Sequence, residues 1–123
     1  MAAKDDLGLL GERLAEEHLT EDGYRILDRR WRCAHGELDL VALDGDTVVF
    51  VEVKTRSGLG YGHPFEAITR AKLVRLRRLA LAWTAAHPPT APARSARRMR
   101  IDAIAVVGPD SGAAEIEHLV GVG

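Results

Sequence analysis

The run GELDLVALDGDTVVFVEVKTR, Gly36–Arg56, places the tightest constraint on the fold. Apolar residues alternate on both sides of Asp44-Gly45-Asp46, the pattern of two strands joined by a tight turn. With the turn at Gly45-Asp46, or spread over Asp44–Thr47, Leu43 lies opposite Val48. Counting back, Val41 faces Phe50, Asp39 faces Glu52 and Glu37 faces Lys54. A slip by two residues keeps these charges on one face, whereas a slip by one separates them. Directly opposed residues have Cβ atoms roughly 4.5–5.5 Å apart, where like charges repel. Two facing carboxylates are therefore a cost unless positive charge sits between them. Lys54, two residues from Glu52 on the same face, supplies part of it. A divalent cation would supply the rest, and Mg²⁺ takes one or two carboxylates together with phosphate oxygens. Two acids beside a lysine suit the attack of water on a phosphodiester. The same residues also read as a salt-bridge ladder on a half-exposed hairpin, because Glu-x-Lys is common by chance.

The rest of the chain sets this hairpin in an α/β frame. Leu7, Leu10, Leu14 and His18 recur at helical spacing, and Gly8, Gly11 and Ala15 beside them would let a helix over about Asp6–Glu21 lie close to a sheet. Gly23 is a stop signal. Strands are expected at Tyr24–Cys33, Glu37–Leu43, Thr47–Lys54, Met99–Val107 and Glu115–Val120, with a long helix over Ala67–His87. Ser57–Pro64 reads as a glycine-rich loop and Pro88–Arg97 as an exposed, flexible connection. The order α-β-β-β-α-β-β gives a mixed sheet flanked by helices, with the last helix crossing between strand three and a parallel strand four. At 123 residues there is room for one domain and one core, residues 108–123 forming a C-terminal strand and tail. A single cysteine excludes an intramolecular disulfide. No signal-peptide core and no span of roughly 20 apolar residues is visible, so a cytoplasmic protein without a membrane partner is expected.

The net charge of −1 hides an asymmetry. Met1–Gly23 is rich in acids, whereas Ala67–Ile101 contains none and carries Arg70, Lys72, Arg75, Arg77, Arg78, Arg94, Arg97, Arg98 and Arg100. Arg25, Arg29, Arg30 and Arg32 make a second cluster. Such stripes suit a polyanion, or equally a solvated helix face. Lys72 falls within the apolar stripe Ile68, Leu76, Leu79 and Trp83, so it either snorkels outward or reaches an anion. Glu12 lies at the edge of the first helix's buried arc, within reach of the carboxylate pair or simply solvated. Cys33 and His35 have too few companions for a metal site, and His18 reads as a core histidine with its hydrogen bonds satisfied. His63, beside the glycine-rich loop, is a further candidate for substrate contact.

Taken in order, "GLLGERLAEEHLTEDGYRILDRRWR", "GELDLVA", "VVFVEVKTR", "EAITRAKLVRL" and "RIDAIAV" resemble the YraN-like family of small endonuclease-type proteins. These are similar to Holliday-junction resolvases of the restriction-endonuclease-like superfamily, and the resemblance runs from about Leu7 to Val107. It implies a restriction-endonuclease-like core with a site at one edge of the sheet, and catalysis by Glu12, Asp39, Glu52 and Lys54. Asp39 and Glu52 would hold Mg²⁺ or Mn²⁺, while Arg56, Lys72, Arg75 and Arg78 would carry nucleic-acid phosphates. Glu37 would bind metal or pair with Lys54, and Asp102 would serve the site or a structural hydrogen bond. The implied substrate is DNA rather than RNA, branched or structured DNA included, and resolvase-like action implies a homodimer. A non-catalytic nucleic-acid-binding module with a vestigial site, or a helix that docks a partner protein, needs only the basic stripes.

Overall fold

The computed structural model describes residues 3–60, 62–88, 90, 93 and 96–123. Its elements are α1 (Ala3–Glu21), β1 (Arg25–Cys33), β2 (Gly36–Asp44), β3 (Thr47–Arg56), α2 (Arg70–Ala86), β4 (Arg98–Val107) and β5 (Glu115–Leu119). The strands form one five-stranded sheet in the order β1-β2-β3-β4-β5. Strands β1, β2 and β3 are antiparallel neighbours, β4 returns parallel to β3 after α2, and β5 adds antiparallel to β4. This mixed sheet flanked by two helices is the layout expected of a restriction-endonuclease-like core.

The alternation of the strands divides the core into two layers. Leu40, Ala42, Val49, Val51 and Val53 pack with Ala15 and Leu19 of α1 on one face. Val41, Val48 and Phe50 pack with Leu76, Leu79 and Trp83 of α2 on the other. The approach of α1 depends on a missing side chain: a Cβ on Gly11 would lie 2.0 Å from Thr55 Oγ1 of β3. Gly23, at φ 87°, takes the left-handed conformation that ends α1 and turns the chain into β1.

The second helix is shorter than its periodicity suggests. Thr69 is extended, and its hydroxyl accepts the Lys72 N–H, so α2 starts at Arg70. Pro64–Ala67 instead form a separate 3₁₀ turn capped by His63. Ile68 thus leaves the helical stripe, and Ala80 joins Leu76, Leu79 and Trp83 on the buried face. Of the expected flexible connection, residues 89, 91, 92, 94 and 95 lie outside the described residues, as does Tyr61 of the glycine-rich loop. No helix among the described residues is long and apolar enough to cross a membrane.

Candidate active site

The hairpin register runs from Asp44↔Thr47 through Leu43↔Val48 and Val41↔Phe50 to Leu40↔Val51, and there the two strands part. Strand β2 stays with β1 down to Gly36, while β3 stays with β4 out to Arg56. The cause lies in β2. Leu40 and Ala42 face α1, yet Leu38 joins Val41 on the α2 side, so the alternation breaks across Asp39. A strand that changes face cannot keep pace with a straight neighbour. The expected opposition of Glu37 and Lys54 is therefore not formed. Glu37 lies beside Arg32 of β1 and takes its guanidinium, and Lys54 lies beside Ala105 of β4.

Asp39 and Glu52 flank the start of this fork. Asp39 Oδ2 accepts the Val53 N–H at 2.8 Å, standing in for a rung that β2 no longer offers. The Glu52 side chain is 10% exposed, and its Oε2 lies 3.7 Å from Lys54 Nζ. Burial comes first among the causes that push the Asp39 carboxyl from about 3.8 up to about 9; Glu52 adds to it through a hydrogen bond and its charge. Without a cation, Asp39 keeps its proton beside Glu52.

This has a consequence for stability. Between about pH 4 and pH 9 the native protein holds a proton on Asp39 that the unfolded chain has released. Stability therefore falls as pH rises through that window, by up to ~1.4 kcal/mol per pH unit for one proton. Urea unfolding from pH 5 to 9 is expected to show this decline. Asp39→Asn, which keeps an acceptor for Val53, should flatten it. Equal slopes in wild type and Asp39→Asn would contradict the assignment.

The fork opens the site to both helices. Glu12 of α1 is raised by burial, and Glu37 and Glu52 add to the rise, while Arg30 opposes it. Its Oε1 stands 3.7 Å from Arg30 Nε. From the other side, Lys72 of α2 has its ammonium pKa lowered, first by the charge of Lys54 and next by burial, with Glu52 acting against both. Lys72 is thus close enough to feel both Lys54 and Glu52. A polar cleft of ≈ 480 Å³ runs alongside, lined by Glu12, Arg30, Arg32, Lys54, Thr55 and Arg56 among others. Arg75 stands near enough to add its charge to Lys72, and both Arg75 and Arg78 are on the exposed face of α2.

Two expected residues lie elsewhere. His63 Nδ1 accepts the Phe65 N–H and Nε2 contacts Glu117 Oε1 at 3.1 Å, so both ring nitrogens are engaged. Asp102 is fully buried on the α1 side, bound by Arg100, His118 and the Gly121 N–H. Conversely, Arg30 enters the cleft without having been singled out. Its φ of 50° is the left-handed conformation, in which β1 turns its guanidinium toward Glu12. The only sign of it in the sequence was membership of the Arg25–Arg32 cluster.

The family model described as "Uncharacterised protein family UPF0102" matches residues 11–106, a span that includes Glu12, Asp39, Glu52, Lys54 and Lys72. A UPF0102 protein of Beutenbergia cavernae is 56% identical over 123 residues, covering 100% of both chains. One from Arthrobacter sp. (strain FB24) is 54% identical with the same coverage. One from Kineococcus radiotolerans is 50% identical over 120 residues, 98% of this chain and 95% of the relative. These matches bear out the YraN-like resemblance, and the chain belongs to the UPF0102 family.

Proposed function

We propose that the protein is a divalent-metal-dependent endonuclease that hydrolyses phosphodiester bonds in DNA, branched or structured DNA among its substrates. The observation that carries this reading is the Asp39–Glu52 pair at the fork. Burial and the neighbouring acid hold Asp39 protonated up to about pH 9, an arrangement that costs stability and that a cation would relieve. The donors are carboxylate oxygens, which suit Mg²⁺ or Mn²⁺. Asp39 and Glu52 are the residues that would hold the ion.

When bound, such an ion supplies an activated water and offsets charge on the phosphoryl group. The chain's own residues do the rest. Lys54, anchored by Glu52, orients the nucleophile and meets charge that develops on the phosphate. Arg56 in the cleft and Lys72 near Lys54 receive the flanking phosphates, and Arg75 and Arg78 extend that track along α2. Glu12 completes the acidic edge, its charge balanced by Arg30. Cutting both strands of a four-way junction calls for two copies of the chain.

The test is cleavage of duplex, flapped and four-way DNA, and of RNA, with Mg²⁺ or Mn²⁺. Wild type should cut DNA, and Asp39→Asn should be slower by about 10²-fold or more. If the two proteins bind DNA alike and neither cuts it, the non-catalytic binding module is the better description. Its affinity would then fall steeply with salt.

A further inference from the structure

Away from the fork, the C-terminal end of α1 meets β5 at a cluster of different chemistry. His18, Asp22 and His118 each bring a nitrogen or oxygen donor to within 4.8 Å of the others. His18 was expected to be a satisfied core histidine. Instead its Nε2 is buried without a hydrogen-bond partner and lies 3.6 Å from Asp22 Oδ2. The two rings stand edge to face at 5.4 Å between centroids. The His118 side chain is 9% exposed, and its Nε2 is 2.8 Å from Oδ2 of the fully buried Asp102.

We propose that His18, Asp22 and His118 form a second cation site, built for a nitrogen-seeking divalent metal of the Zn²⁺ type, which ties α1 to β5.

Three independent features support this. First, donors around tetrahedral Zn²⁺ lie about 3.3 Å apart, given metal–donor distances of about 2.0–2.1 Å. The His18–Asp22 separation of 3.6 Å is already close to that value, and an exposed Asp22 is free to take up the remaining adjustment. Second, His118 has the support that metal-bound histidines normally have. Asp102 is fully buried and also takes the Arg100 guanidinium and the Gly121 N–H, so it faces His118 as an acceptor. Nε2 therefore carries the proton, leaving the Nδ1 lone pair for a metal. Third, His18 sits in the last turn of α1, where the carbonyl end of the helix dipole favours a cation.

The site is also separate from the proposed nuclease centre. His18 is about 9 Å along the helix axis from Glu12. Its donors differ too, since two imidazoles and one carboxylate favour Zn²⁺ over Mg²⁺. The proposal therefore does not depend on the nuclease reading.

The experiment uses the untagged full chain, titrated with Zn²⁺ by calorimetry and with Co²⁺ by visible absorption. One equivalent should bind, and Co²⁺ should give the strong band of a low-coordinate nitrogen–oxygen site. Asp39→Asn should keep this signal. His18→Gln, and separately the exposed Asp22→Ala, should weaken binding about tenfold or more and abolish the band. Only a faint octahedral Co²⁺ spectrum, or binding unchanged in both His18→Gln and Asp22→Ala, would overturn the site.

Discussion

Replacing Glu52 with glutamine is expected to lower metal-dependent DNA cleavage by about 10²–10³-fold while leaving the fold at least as stable as before. The two effects separate because Glu52 plays opposite parts in them. In the folded chain it stands beside Asp39 at low exposure, with the Lys54 ammonium 3.7 Å away. Removing its charge relieves the pair, so the denaturation midpoint should hold or rise. In catalysis, the same charge would hold the ion and anchor Lys54. Cleavage rates on a four-way junction, set beside urea denaturation of the same preparations, read both. A variant that loses stability along with activity would mark Glu52 as a structural ion-pair partner of Lys54 instead.

Asp102→Ala is expected to do the reverse, destabilising the protein by about 3–5 kcal/mol. Its carboxylate receives Arg100 through two nitrogens, His118 through Nε2 and the Gly121 backbone N–H, all without contact with water. Alanine would strand the Arg100 guanidinium, which is left with Asp44 and the Tyr24 hydroxyl, in a largely buried place. It would also release the turn that returns the chain after β5. Urea denaturation measures the loss, and a change below about 1 kcal/mol would refute the account. Cleavage per folded molecule should be little changed, because Asp102 does not reach the fork.

The sequence carried most of the frame and part of the site. The alternation in Gly36–Arg56 and its tight turn were enough to give the register from Asp44 to Leu40, because one slipped residue would have exchanged the α1-facing and α2-facing sets of β2 against β3. The helical spacing of small residues foretold the close approach of α1. The parting of β2 and β3 was not legible, since it arises from a change of face at Asp39 that no residue type announces. The left-handed turn at Arg30 was hidden for a similar reason, as arginine carries no preference for it. The start of α2 depended on Thr69, whose capping role was overshadowed by the longer apolar stripe. His18 looked like core because its spacing is that of core, and spacing says nothing about whether an imidazole has found a partner.

The contact between Gly11 and Thr55 has a consequence that reaches past packing. Glu12 is the next residue, so the depth to which α1 sinks also sets how far that carboxylate stands from the fork. The aperture of the cleft is thus gauged by a position with no charge and no side chain at all. Even a methyl group there would act as a shim, lifting the helix and Glu12 with it and widening the gap while Asp39, Glu52 and Lys54 stayed in place. Glu12 is aimed by its neighbour's smallness.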